Sequence, residues 1–92
     1  NVALVTKWPD YVFEEDYDLP ELNDVESFII NNGHLPGVPS KTEIEENGVN
    51  LAETDALLLK KIEELTLYVL EQQKMLKNQQ NEIEKLKSRL PE

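Results

Sequence analysis

The chain has 92 residues, a formal net charge of −10, no cysteine and a mean hydropathy of −0.53. The missing cysteines remove disulfides, thiolate nucleophiles and cysteine metal sites, and the acidic balance argues against nucleic acid and anionic membranes as partners. No apolar run reaches the ~18 residues of a membrane span, and no charged segment followed by an apolar one marks a signal peptide.

The acidity is uneven. Residues 1–50 carry two lysines against eleven acidic residues, whereas residues 51–92 carry seven basic against eight acidic ones. Solubility is the simplest use for such a surface. The length allows one small domain plus a long helix, with little room for a large core. The first residue is Asn1 rather than Met, so the expectation is a piece of a longer protein, with any targeting signal upstream.

In chain order, Asn1 to Lys7 reads as a short strand on its β-type residues Val2, Leu4 and Val5. Pro9 breaks it and pushes Trp8 toward extended geometry. Tyr11-Val12-Phe13 reads as a second short strand, and Glu14 to Asp18 as an acidic connector. Pro20 suits the first turn of a helix. Leu22, Val25, Phe28 and Ile29 follow at helical spacing, and Gly33 fits a left-handed C-terminal position, so a helix is predicted at about 21–32. His34-Leu35-Pro36-Gly37-Val38-Pro39 must be extended or turning, and it is apolar enough to lie against a surface. Ser40 with Glu43 makes a capping box for a short helix at about 41–47, which Gly48 ends. Asn50 with Glu53 then caps a long helix.

That long helix carries the most information. From Leu58 to Leu90 a heptad runs unbroken, with no proline or glycine before Pro91. Leu58, Leu65, Gln72, Gln79 and Leu86 take position d; Ile62, Val69, Leu76, Ile83 and Leu90 take position a. Eight of the ten are apolar. A 3.5-residue repeat sustained this long keeps one stripe facing a partner helix, which is the mark of a coiled coil. The helix is on the order of 55–60 Å long at ~1.5 Å per residue, more than the rest of the chain can cover. The partner must be another copy or another protein.

Between Ala56 and Leu70 the helix is also apolar off the seam, at Leu57, Leu59, Leu67, Tyr68 and Leu70. From Glu71 onward the off-seam positions are mainly polar. A helix apolar on several faces is buried on several faces. The predicted fold is therefore α+β, mainly α. Residues 1–50 form an acidic collar of short strands and helices around the top of the long helix at 51–90, and residues 71–90 form a bare parallel coiled-coil stalk. A homotrimer is expected, with a dimer as the alternative. Ile62–Leu65 and Ile83–Leu86 fit the a/d preference of a parallel dimer, but the Gln72 and Gln79 layers suggest a roomier core where amides bond across the axis. Burying eight apolar seam residues offers roughly 10–20 kcal/mol per chain as an upper bound.

Chemistry is sparse, and no catalytic, cofactor-binding or metal residue is assigned. His34 is the sole histidine and reads as a packed structural residue. Ser40 beside Lys41 is explained by the capping box. The Glu14-Glu15-Asp16-Asp18 run lacks the spacing and central glycine of a calcium loop. Trp8, Tyr11, Phe13 and Tyr17 suit core packing better than ligand stacking.

A set of strings adds a resemblance: Trp8 to Phe13, Tyr17 to Pro20, Gly33 to Ser40, Asn47 to Leu51 and Leu57 to Tyr68. In that order they resemble the C-terminal module that ends many large secreted or fibre-like proteins of Bacteroidetes bacteria, over about residues 5–72. The module is similar in layout to the intramolecular chaperone domains of phage tailspikes and fibres. The resemblance implies assembly of an upstream fibrous partner on the same chain, outside the cell, at its surface or on a phage-like particle. Some of those chaperones cut themselves off with a serine; no residue here matches it, and any cut would fall before Asn1. Three functions follow in order of preference: an assembly module that trimerises and registers an upstream fibre, a tip module that binds a ligand through the His34–Pro39 loop and aromatics, and a self-processing protease. No membrane insertion and no enzyme activity are expected.

Overall fold

The computed structural model describes residues 8–91. It contains a short 3-10 helix (Pro9–Phe13) and three α-helices: α1 (Leu22–Asn32), α2 (Lys41–Asn47) and α3 (Leu51–Arg89). The molecule is a long rod with a thickened end, measuring 68 × 29 × 21 Å. Its radius of gyration is 19.4 Å, against the ~12 Å of a compact domain of this length.

No strand occurs among the described residues. The strand expected at Asn1–Lys7 lies outside them. The one expected at Tyr11–Phe13 is instead the second half of the 3-10 helix. Proline at its first position fixes φ for a tight turn, and Trp8 before it is extended as a pre-proline residue must be. The β preference of Tyr-Val-Phe yields to packing, because a tight helical turn drops Val12 onto α3. Val12 is 1% exposed and Pro9 is also fully buried. The architecture is therefore mainly α, and the α+β expectation fails over these residues.

The ends of the helices follow their local chemistry. Gly33 takes φ 77° and its N–H donates to Ile29 O at 2.8 Å, closing α1 in the left-handed geometry that glycine adopts without strain. Pro20 does not enter α1, whose N-cap is Glu21; its carbonyl accepts the Tyr68 hydroxyl instead. Leu35-Pro36-Gly37-Val38 is a turn closed by Val38 N–H to Leu35 O at 3.2 Å, with proline second and a positive-φ glycine third. This turn lies against α3, where a Cβ on Gly37 would meet the Lys61 Nζ at 3.9 Å. Both halves of the Ser40–Glu43 capping box form at 3.2 Å. Asn50 Oδ1 accepts from Glu53 N at 3.0 Å at the start of α3. Lys87 and Arg89 lie in its last turn, where cations suit the helix dipole.

The collar is held on α3 mainly through the Pro9–Phe13 helix. No residue of α1 or α2 is buried. Val12→Ala is therefore expected to weaken the attachment by ~2 kcal/mol. Fluorescence of Trp8, the single tryptophan, will unfold at lower denaturant, while the helical signal of α3 moves less.

Candidate oligomer interface

The collar and the heptad use different faces of α3. Taking Ile62 as a and Leu65 as d, Lys60, Glu63 and Glu64 fall at f, b and c, on the side away from the seam. That is the side the collar covers. Glu63 and Glu64 are buried, and Leu57, Leu59, Leu67 and Tyr68 are partly covered. Leu70, expected to be covered with them, is exposed.

The seam is bare. Leu58, Ile62, Leu65, Val69, Leu76, Ile83, Leu86 and Leu90 are each between 46% and 69% exposed. Gln72 and Gln79 are exposed as well, and Leu90 caps α3 rather than lying within it. Full burial of such a side chain is worth ~1.5–3 kcal/mol, so eight half-exposed ones forgo roughly 6–12 kcal/mol per chain. Below Leu70 every described residue is exposed. Local support there is slight: a Gln80–Glu84 hydrogen bond at 3.3 Å and a Lys85–Glu82 pair at 3.7 Å, both on the surface. Such pairs are worth a few tenths of a kcal/mol, and helices draw most of their stability from packing.

The covered face holds a polar cluster that sequence reading did not anticipate. Tyr17 donates its hydroxyl to Glu64 Oε2 at 2.6 Å, and Lys61 Nζ lies 3.3 Å from Glu64 Oε1. A buried carboxylate thus has a partner on each oxygen, as burial of charge requires. Burial, followed by the bond to Glu64, raises the Tyr17 pKa. Burial and then the charge of Glu64 raise that of Tyr68. Tyr11 packs on Tyr17 with ring centroids 5.8 Å apart, and Lys60 Nζ sits 5.8 Å from the Tyr11 ring. Contacts across 47 residues, such as Tyr17–Glu64, leave no spacing to read in a sequence. The hint was two adjacent glutamates inside the most apolar stretch of α3.

The remaining candidates are committed locally. His34 Nδ1 lies 3.0 Å from the Leu35 carbonyl, and its ring meets the Phe28 ring edge-on at 5.4 Å. Ser40 is held by its cap, and Lys41 reaches Glu45 at 3.9 Å. Among the described residues, no three histidine or acidic side chains converge as they would around a cation.

Glu63 differs from Glu64. It is buried, and its Oε2 has no hydrogen-bond partner. Burial, and secondarily the charge of Asp10, raise its pKa above the usual 4.5. A carboxyl with a raised folded-state pKa stabilises the fold when protonated, and that contribution is lost as pH rises through the raised value. Glu63→Gln is expected to raise the thermal midpoint at neutral pH and to flatten its fall between mildly acidic and neutral pH, measured by melts across that window.

No family model matches the chain, and no curated protein or solved structure matches it.

Proposed function

We propose that the chain is a homo-oligomeric assembly module. Its α3 helices zip together along the a/d seam, and the collars lock the copies in register so that an upstream fibrous partner on the same chain assembles. The observation that carries this reading is the division of faces on α3: the collar covers the outer side and leaves uncovered a seam from Leu58 to Leu90 that is apolar at every layer but Gln72 and Gln79.

The flanking positions favour a parallel arrangement. In parallel register each g residue faces the e residue five positions on in the partner. The pairs are Lys61–Thr66, Tyr68–Gln73, Met75–Gln80 and Glu82–Lys87, with one attractive pair and no like charges. An antiparallel pair with full overlap sets Lys61 against Arg89 and runs each stalk past the other's collar. Three strands suit the Gln72 and Gln79 layers, where amides can bond across a wider axis; two strands are the alternative. The resemblance to fibre-end modules supports a place outside the cell, at its surface or on a phage-like particle.

An oligomer's thermal midpoint depends on concentration, because assembly stabilises by mass action. The wild-type melt is expected to shift upward with concentration across the micromolar range. Leu65→Asp on the seam should abolish the shift and much of the helical signal. Asn78→Asp, which adds the same charge at an exposed position off the seam, should keep both. A concentration-independent wild-type melt contradicts the reading.

A tip-binding role has one observation in its favour. Trp8 and Phe13, at the two ends of the 3-10 turn, are each 53% exposed although the turn itself is packed on α3. On that reading Trp8→Ala leaves assembly intact and removes binding at the tip, seen as wild-type molar mass with lost attachment of the full-length protein.

A further inference from the structure

We propose that Gln72 and Gln79 select the partner of α3: they admit another copy of this chain, parallel and unstaggered, and reject other alignments. The inference rests on the assembly reading above. It assigns the choice of orientation and register to the stalk, so that the collars hold a register the seam has already chosen.

The structure separates the two glutamines from the collar. Among the described residues, the last tie from the collar to α3 is at Tyr68, whose hydroxyl bonds the Pro20 carbonyl. Gln72 lies one turn further on, and from there to Pro91 every residue is exposed. α3 runs unbroken through both glutamines to Arg89. Their amides are uncommitted: among the described residues neither has a hydrogen-bond partner, whereas Gln80, next to Gln79, gives its amide to Glu84 at 3.3 Å. The heptad turns both uncommitted amides toward the seam, at d.

Inside a seam an amide must meet another amide. Packed against an apolar side chain it loses water and gains no partner, which costs more than a surface ion pair returns. Every a residue from Ile62 to Leu90 is apolar, and both glutamines are at d. A reversed neighbour sets a against d, so it buries each glutamine on an apolar side chain. With full overlap Gln72 meets Leu76 and Gln79 meets Val69. A parallel neighbour sets d against d. Slipped by one heptad, it matches one pair of glutamines and sets the other two against Leu65 and Leu86. A foreign helix fits only if it carries amides at the same two layers. A second copy, pointing the same way and level with the first, leaves no amide unmet. The flanks are too weak to make this choice, since the parallel g–e pairs include one attractive pair, Glu82–Lys87. The apolar layers supply cohesion but accept any apolar partner, so the two polar layers carry the discrimination.

The chain has no cysteine, so an introduced thiol reports only contacts between copies. In a glutathione redox buffer, Leu86→Cys links copies where Leu86 faces Leu86, which is the parallel, unstaggered pairing. Ile62→Cys and Leu86→Cys chains, mixed unfolded and refolded together, report the antiparallel pairing, in which those two positions face each other. With both glutamines present, the Leu86→Cys self-link is expected to exceed the mixed link by about tenfold or more, the ratio that one unmet buried amide confers. Gln72→Leu combined with Gln79→Leu should leave the oligomer and its helix intact and cut that ratio several-fold. Asn78→Leu, at an exposed position off the seam, should not change it. An oligomer by sedimentation whose ratio is unmoved by the two leucine substitutions overturns the role of the glutamines and leaves the coiled coil standing. A mixed link that dominates with both glutamines present overturns it as well. A preparation that sediments as monomers removes the assembly reading itself.

Discussion

The structure depends on what covers the apolar seam of α3. A helix of 39 residues presents several faces to water, and a collar of some fifty residues can shield one side of its upper part. The chain places that shield on the outer side, through Val12, Pro9 and the Tyr17–Glu64 contact. It leaves Leu58, Ile62 and Leu65 open, with five more apolar side chains below them. A single molecule arranged in this way has almost no hydrophobic core: Val12 and Pro9 are the two apolar side chains fully withdrawn from water among the described residues. On the assembly proposed above, burial of the exposed stripe supplies free energy that offsets the ordering of the chain.

The collar is organised around that division. Charged and polar groups tie it to α3 at the level of Glu63 and Glu64, where the phenol of Tyr17 and the ammonium of Lys61 satisfy one carboxylate. Its neighbour Glu63 is left with an unpartnered oxygen, and burial together with the charge of Asp10 raises its pKa. α1 and α2 are set by caps and turns rather than by burial.

Much of the helical framework was legible because its signals are local. Ser40 with Glu43, Asn50, Gly33 and Gly48 each mark a helix end through one side chain or one backbone conformation, and the structure shows those contacts. The heptad was legible because its period belongs to the helix itself. The expected Tyr11–Phe13 strand failed because β preference is a weak pull when the residue following Trp8 is a proline and Val12 has an apolar surface to reach. The buried glutamates were missed for a different reason. Their partners lie far away in the chain, and charge alone reads as solvated.

The molar mass of the unmodified chain in solution tests the central claim most directly. Sedimentation equilibrium at micromolar concentration is expected to give a whole multiple of 10.6 kDa, three copies by preference, together with a strongly helical circular dichroism spectrum. A mass of one chain, with α3 still helical, would mean that the seam stays wet and that the division of faces has some other cause.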